Sequence, residues 1–318
     1  MSEWARALRH EARFICRHVR GASVLVELPE GLRSLEDELE RILRSCGARL
    51  VEFRLEPVYG ACDTAACETN YDVVVHVGHT PYVYRPVFRC GETRVLYLPL
   101  LLEASREDAK RIASALEGYQ SIGIGYAINY ARLVALIAAE LRRGGVRVYA
   151  THILGCYTGR LETLDAEAYL VIGSRFHALG LGLALHAERK ILVYEPGGGL
   201  SDYTREAAKV LAKRYWVASR AAEARTWGVV QGSRGQCRPL LGAVVARLLE
   251  SMGRRVRLYR VTRLSRSDLD SITDVEAFVV IGCPRLAVED LGDYHRPVLV
   301  PGEVPYALGL AERIRFPW

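Results

Sequence analysis

The sequence of 318 residues contains little lysine, asparagine, glutamine or methionine. Of its 43 basic residues only four are lysine, and it has two asparagines, three glutamines and two methionines. Scarcity of thermolabile side chains is typical of proteins from thermophiles, although arginine richness also follows from genomic base composition. We therefore expect a thermophilic source.

Long apolar runs are also absent. No stretch of 18 apolar residues occurs, so the sequence predicts no membrane-spanning helix. The first 20 residues are charged throughout and lack the apolar core of a signal peptide, which favours a cytoplasmic protein. The net charge of +6 is spread along the chain without a basic run or an RNA-binding aromatic motif. We therefore expect neither a membrane nor a nucleic acid as a partner.

Cysteine, in contrast, occurs eight times. Disulfides are rare in the cytosol outside hyperthermophiles. Metal or redox chemistry is therefore the better explanation for at least some of these cysteines.

A threefold internal repeat organises the chain. Each repeat contains a run of β-branched residues that ends in glycine, which is typical of a buried parallel strand. The three runs are DVVVHVG (72–78), AYLVIG (168–173) and AFVVIG (277–282). A helix and a strand precede each run, and further strands open and close each repeat, which gives twelve predicted strands.

This pattern predicts an α/β fold of three small domains around a central site. Each domain would be a four-stranded parallel sheet flanked by helices, since strands that alternate with helices require parallel pairing and crossover connections. The predicted bounds are residues 1–118, 119–222 and 223–318.

Three cysteines follow strand ends, where ligands of parallel sheets bind. Cys62 and Cys156 follow the second strand of their repeats, 16 and 17 residues before the glycine that ends the third strand. In the third repeat Cys283 comes directly after that glycine, where the first repeat has His79 and the second has Ser174. Each repeat thus contributes one cysteine at a strand exit.

Five further cysteines lie elsewhere: Cys16, Cys46, Cys67, Cys90 and Cys237. The first two lie on helical patterns and are expected in the core, because unbonded cysteine is among the most buried residue types. Cys67 is the rival of Cys62 as a ligand. The offset from the repeat glycine favours Cys62.

Three thiolates without an obvious fourth ligand suit a [4Fe–4S] cluster with one open iron. A Cys₃His zinc site completed by His79, His152 or His177 is the competing interpretation. Coincidence is the third. Spacing alone leaves all three open.

The motifs around the three cysteines resemble one family. YGAC at Cys62, LGC at Cys156 and GCPR at Cys283, together with GSRFHALGL and RGQ, resemble archaeal 2-(3-amino-3-carboxypropyl)histidine synthases. The resemblance covers essentially the whole chain, from ELPEGL at residues 27–32 to GCPRLAVED at residues 282–290. It implies a transferase that performs the first step of diphthamide biosynthesis on translation elongation factor 2.

The resemblance also implies the cofactors and the chemistry. A [4Fe–4S] cluster would be held by Cys62, Cys156 and Cys283, and S-adenosylmethionine would be cleaved to a 3-amino-3-carboxypropyl radical. That radical would add to carbon 2 of a histidine imidazole of the elongation factor. A homodimer and a separate, unidentified electron donor are further expectations.

Side chains beside the strand exits are candidates for binding the carboxylate or ribose of S-adenosylmethionine: Arg175, His177, Gly235, Gln236 and Arg285. The two arginines would otherwise be surface charges, and the histidine a locally bonded residue at a helix start. We expect the three cysteines to converge on one solvent-reachable cavity that His177 and Gln236 also line.

Two other functions stay open. The triplicated three-cysteine architecture also resembles quinolinate synthase, an iron–sulfur dehydratase that needs no S-adenosylmethionine. The other is a non-catalytic scaffold that holds zinc or a cluster. Methylthioadenosine formed from S-adenosylmethionine would distinguish the synthase from both.

Overall fold

The computed structural model describes residues 2–81, 87–232 and 238–318. In these ranges fourteen strands form three sheets of five, five and four strands, flanked by helices. The predicted α/β fold is therefore confirmed. The strands are β1 (Ser23–Glu27), β2 (Leu50–Phe53), β3 (Val73–Val77), β4 (Val87–Cys90), β5 (Thr93–Leu98), β6 (Ser121–Tyr126), β7 (Arg147–His152), β8 (Ala168–Ile172), β9 (Lys190–Glu195), β10 (Gly199–Asp202), β11 (Thr226–Gly232), β12 (Arg255–Val261), β13 (Ala277–Ile281) and β14 (Val298–Leu299). The α-helices are α1 (Glu3–Val19), α2 (Glu36–Ser45), α3 (Arg106–Ser114), α4 (Ala131–Arg143), α5 (Arg175–Ala184), α6 (Thr204–Ala221), α7 (Pro239–Ser251), α8 (Arg266–Asp270) and α9 (Val304–Ala307).

All twelve predicted strands are present, and β4 and β10 are two that were not predicted. Each is antiparallel to its neighbour, β4 to β5 and β10 to β9. The predicted strands pair in parallel, as expected, and each of the first two sheets has one antiparallel strand in addition to those predicted. Both hairpin turns contain glycines in the left-handed region, Gly91 at φ 59°, and Gly197 and Gly199 at φ 85°.

Contacts divide the chain into two compact units, Met1–Leu154 and Gly155–Trp318. The first contains β1 to β7, and the second contains β8 to β14. The domain bounds at residues 118 and 222 stay a prediction.

In the first unit the first sheet has the strand order β2-β1-β3-β5-β4. One face, which includes Val24, Val75 and Leu96, packs in one core with residues of α1 and α2. The opposite face packs against Ala61 and Ala66 of the loop that follows β2. That loop carries Cys62, the first candidate ligand, so residues on either side of this cysteine pack against the sheet.

In the second unit β8 pairs in parallel with β9. The third sheet has the order β12-β11-β13-β14, and all its pairs are parallel. One of its faces packs on residues of α6, α7 and α9 around the fully buried Trp227. No helix in the described ranges combines the length and apolar character needed to cross a bilayer.

Candidate functional site: thiols at the strand exits

Disulfide bonding sorts the described cysteines into two groups. Four form the disulfides Cys16–Cys46 and Cys67–Cys90. Three remain thiols, and these are Cys62, Cys156 and Cys283. The disulfides were not predicted, since cytosolic chains outside hyperthermophiles rarely form them. Cys237 lies outside the described residues.

Cys16 and Cys46 lie in the core, as predicted, but they are bonded to each other. Cys46 is 6% exposed in the cluster that packs on the first sheet, and Cys16 packs against the same cluster. Their bond joins α1 to the residue that caps α2. It is therefore a structural link between two helices.

The Cys67–Cys90 bond removes the rival of Cys62. Cys90 ends β4 opposite Thr93 at the start of β5, so the bond fastens the long loop after β2 at the amino-terminal end of that strand. A cysteine in a disulfide offers no thiolate to a metal. Among the described cysteines of the first repeat, Cys62 is the thiol.

Both neighbours of Cys62 in the sequence are bonded to buried side chains of the first unit. The Tyr97 hydroxyl donates to the carbonyl of Ala61 at 2.5 Å. Arg54 donates to the carbonyl of Asp63 at 2.9 Å and also bonds its carboxylate at 3.4 Å. Because Tyr97 and Arg54 are 1% and 5% exposed, these bonds are shielded from water.

Cys156 follows a glycine that packs directly on α5. A β-carbon at Gly155 would lie 2.2 Å from the ring of Phe176, and one at Gly180 would lie 2.2 Å from the carbonyl oxygen of Gly155. Phe176 and Gly180 are one helical turn apart, so one face of the helix in the GSRFHALGL motif packs against the chain before Cys156. Glycine at both positions permits this close approach.

Cys283 lies two residues beyond the end of β13, close enough to Cys156 for the two thiols to interact electrostatically. Arg285 stands over the ring of Phe176, with its Cζ 5.8 Å from the ring centroid. The same ring contacts Gly155. Phe176 therefore packs beside both cysteine loops of the second unit.

The two thiols of the second unit have raised pKa values. Burial raises the pKa of Cys283 to about 12, and the neighbouring Cys156 adds to the effect. Burial also raises the pKa of Cys156, while the positive charge of Arg238 lowers it in part. Because a bound cation stabilises thiolates, these buried thiols suit a metal centre better than they suit nucleophilic catalysis at neutral pH.

The two arginines predicted to contact S-adenosylmethionine form ion pairs at strand exits. Arg175, the first residue of α5, pairs with Glu195 at 3.0 Å. Arg285 pairs with Glu289 at 2.5 Å. Both arginine side chains are more than half exposed, so their ion pairs are in contact with solvent and contribute little free energy. Each arginine can therefore leave its glutamate for another carboxylate at a small cost in free energy.

His177 lies in the first turn of α5, where its Nδ1 is 2.7 Å from the hydroxyl oxygen of Ser174. Burial lowers the pKa of His177 to about 4, so its ring is neutral near pH 7. This local bond matches the alternative interpretation of His177 as a helix-start residue. Gly235 and Gln236 lie outside the described residues.

Three side chains that hold the cysteine loops were not predicted: Arg54, Tyr97 and Phe176. Phe176 lies within the GSRFHALGL motif. The signal for the other two was weaker, since Arg54 directly follows β2 and Tyr97 lies within β5. Which loop such a residue bonds is a tertiary property.

The described part of the chain contains no group of three or more His, Cys, Asp or Glu side chains arranged to hold a metal ion. The Cys₃His zinc site built with His79, His152 or His177 therefore stays an open alternative to the cluster. The convergence of the three thiols on one cavity stays a prediction.

Two surface hollows, of about 410 and 350 Å³, lie at the amino-terminal edge of the first sheet. Basic residues that include Arg49 and Arg94 line the first. The Cys67–Cys90 disulfide lines the second. Neither lining includes the three thiols, so neither hollow is the candidate site.

The fold and the site define an α/β protein with three helix-flanked sheets and with cysteine thiols in the loops after its strands. A family model described as "Putative diphthamide synthesis protein" matches residues 28–316. The chain therefore belongs to this diphthamide synthesis family.

Relatives and solved structures extend the comparison. The chain is 28% identical to 2-(3-amino-3-carboxypropyl)histidine synthase of Pyrococcus horikoshii, over 94% of this chain and 90% of that protein. It is 23% identical to the Methanocaldococcus jannaschii protein of the same name, over 92% and 86%. A crystal structure of Dph2 from Pyrococcus horikoshii with a 4Fe-4S cluster matches with a TM-score of 0.78 and 28% identity, covering 99% of this chain and 93% of that one.

Proposed function

We propose that this chain is a transferase of the first step of diphthamide biosynthesis. It moves a 3-amino-3-carboxypropyl group from S-adenosylmethionine to carbon 2 of a histidine imidazole of translation elongation factor 2. Family membership and the names of the relatives support this activity. So does the match over nearly the whole chain to a structure that contains a 4Fe-4S cluster.

The observation that carries the proposal is the bonding state of the cysteines. Four of the described cysteines are in disulfides, and the three that remain thiols are the three that follow strand ends, one in each repeat. These three, Cys62, Cys156 and Cys283, would hold a [4Fe–4S] cluster. Their chemistry fits, since thiolates are the usual ligands of such clusters.

When bound, the cluster supplies the one-electron chemistry that cleaves S-adenosylmethionine. The protein's own residues bind and orient the cofactor. Arg175 and Arg285 offer guanidinium groups that match a carboxylate, in exchange for their present partners Glu195 and Glu289. We also assign Gly235 and Gln236 to this site, and His177 as a neutral ring that can bond a polar cofactor group.

The partners of the reaction belong to the same proposal. Translation elongation factor 2 is the protein substrate, a separate donor supplies the electron, and the enzyme is a cytoplasmic homodimer.

Product analysis tests the function. The protein is reconstituted anaerobically with iron and sulfide, reduced, and incubated with S-adenosylmethionine. We expect methylthioadenosine, because the bond cleaved is the one to the amino-acid side of the sulfonium. A protein that holds a full cluster and forms 5′-deoxyadenosine, or neither product, contradicts the proposal.

A further inference from the structure

Three side chains at the carboxyl ends of adjacent strands form a polar row across the first sheet. Glu27 on β1 stands in register with His76 on β3, and His76 stands in register with Tyr97 on β5. All three side chains are at most 1% exposed. We refer to Glu27, His76 and Tyr97 as the carboxyl-end row.

Hydrogen bonds join Glu27 to His76 and join His76 to His79, which lies just after the end of β3. A carboxylate oxygen of Glu27 is 2.7 Å from Nδ1 of His76, and Nε2 of His76 is 2.9 Å from Nδ1 of His79. The rings of His76 and Tyr97 pack with centroids 5.0 Å apart. Burial alone would raise the pKa of Glu27, but the bond from His76 and further bonds from its surroundings hold that pKa below its usual value.

The same row is bonded to the Cys62 loop at three points. Tyr97 bonds the carbonyl of Ala61, and the other carboxylate oxygen of Glu27 accepts the backbone N–H of Ala65 at 2.7 Å. Arg54, 3.2 Å from that Glu27 oxygen, bonds Asp63. The bonded positions therefore flank Cys62 on both sides.

The third repeat shows that the fold itself does not require these polar residues. Val280 stands two residues before the repeat glycine, as His76 does, and is in register with Val230 on the adjacent strand. Val230, Val280 and Val300 pack in one apolar cluster and are at most 2% exposed. The third repeat has Ser265 where the first has Cys62, so its loop presents no thiol.

The second repeat also has valines in this part of the sheet, and it holds its cysteine by a different means. Val171 on β8 is in register with Val193 on β9. The chain before Cys156 instead packs directly on α5 through Gly155 and Gly180. The row of Glu27, His76 and Tyr97 thus lies in the repeat whose cysteine loop it bonds.

We infer that the carboxyl-end row, with Arg54, positions Cys62 for metal ligation. Buried ionic groups are costly to desolvate, and well-packed apolar residues often replace them without loss of stability. The strand positions that carry Glu27 and His76 in the first repeat have valines in register in the third, and the loop that Glu27 and Tyr97 bond explains this difference. This inference rests on the proposed function for the role of Cys62, but its test does not require an active enzyme.

The test measures the alkylation rate of each thiol in the iron-free protein by mass spectrometry after exposure to iodoacetamide. Tyr97→Phe removes one hydrogen bond beside Cys62 and keeps the ring. We expect Cys62 to react about fivefold faster, as loss of one hydrogen bond predicts, and the other two thiols to react as before. Iron bound after anaerobic reconstitution should fall.

Tyr169→Phe is the matched control. Tyr169 is also a fully buried tyrosine, and its hydroxyl bonds the carbonyls of Leu164 at 2.5 Å and of Leu161 at 3.3 Å in the second unit. This variant should leave the Cys62 rate unchanged. An unchanged Cys62 rate in Tyr97→Phe, or an equal rise at all three thiols, would overturn the inference.

A double variant, Glu27→Val with His76→Val, gives the first sheet the residue type of the third. We expect it to unfold cooperatively at a lower temperature than the wild type, because the buried Arg54 loses one carboxylate partner, and we expect faster Cys62 alkylation and less bound iron. Normal alkylation and normal iron in this folded variant would contradict the positioning role.

Failure of the proposed function has its own readout. If Cys62→Ala binds as much iron as the wild type, then Cys62 is not a ligand, whatever the row variants do.

Discussion

At the scale of single residues, a cysteine's partner decides what chemistry it can perform. Cys62 and Cys67 lie five residues apart in the sequence, yet Cys67 is bonded to Cys90 and Cys62 remains a thiol. The repeat offset selected Cys62 without knowledge of this bond. The bond and the offset both favour Cys62 over Cys67, and its role as a ligand stays a prediction.

Three single variants, Cys62→Ala, Cys156→Ala and Cys283→Ala, should each bind less iron after anaerobic reconstitution. A cubane held by only two protein thiolates is bound weakly. The measurement is iron and sulfide per chain. Cys67→Ala is the control, since it removes a disulfide sulfur five positions away. Full iron in Cys62→Ala together with loss in Cys67→Ala would reverse the assignment.

His177 should make stability depend on pH. Its pKa is about 4 in the folded chain and near 6.5 when unfolded. As pH falls from 6.5 to 4, the unfolded chain takes up the proton first, so the folded state is stabilised fully above 6.5 and loses that contribution within this window. Since the side chain is partly exposed, we expect a loss of about 2 kcal/mol.

Urea denaturation at several pH values measures this loss. In His177→Gln the free energy of unfolding should fall less steeply across the window than in the wild type. Ser174→Ala keeps the half-buried ring of His177 and should keep the steep dependence. Identical slopes in His177→Gln and the wild type would show that His177 does not titrate as proposed.

At the scale of elements, the Cys62 loop and the Cys156 loop are each held by a neighbouring strand or helix. In the first unit buried polar side chains of the sheet hold the loop, and in the second unit helix α5 receives the chain before Cys156. The α5 contact depends on the missing side chain of Gly180, so it is sensitive to one methyl group.

Gly180→Ala should displace the chain at Gly155 and destabilise the protein by about 1–3 kcal/mol, as overpacking does. A β-carbon there would lie 2.2 Å from a carbonyl oxygen. Urea denaturation measures the change. Gly31→Ala is the control, because a β-carbon at Gly31 would have nothing within 4 Å. Equal stability of the two variants would contradict this packing.

At the scale of the whole molecule, sequence patterns predicted the strands better than the site. Most of the parallel strands are buried and give apolar runs, whereas β2, β7 and β12 are largely exposed and were predicted because each follows a helix that a glycine closes. β4 and β10 are short antiparallel strands whose signal was the glycines near their turns. The disulfides bridge 30 and 23 residues, which no local pattern reveals. The carboxyl-end row could have been suspected from His76 alone, because a histidine within a fully buried strand needs a buried hydrogen-bond partner.

Cys62 and Cys156 were predicted from a shared repeat offset, because equivalent positions in a repeat have equivalent structural surroundings, and Cys283 from its place directly after the repeat glycine. The residues that hold their loops could not be predicted this way. Arg54 and Tyr97 hold the Cys62 loop in the first repeat, and Phe176 contacts the chain before Cys156 in the second. The repeats therefore hold their cysteine loops with different residues.

The most direct test of the proposed activity is mass spectrometry of translation elongation factor 2 after incubation with the reduced, cluster-loaded protein and S-adenosylmethionine. The account predicts one added 3-amino-3-carboxypropyl group on carbon 2 of a single histidine, with an equal amount of methylthioadenosine. Cys62→Ala, Cys156→Ala and Cys283→Ala should each abolish the addition. An unmodified elongation factor in the presence of a full cluster, or modification that persists in these variants, would contradict it.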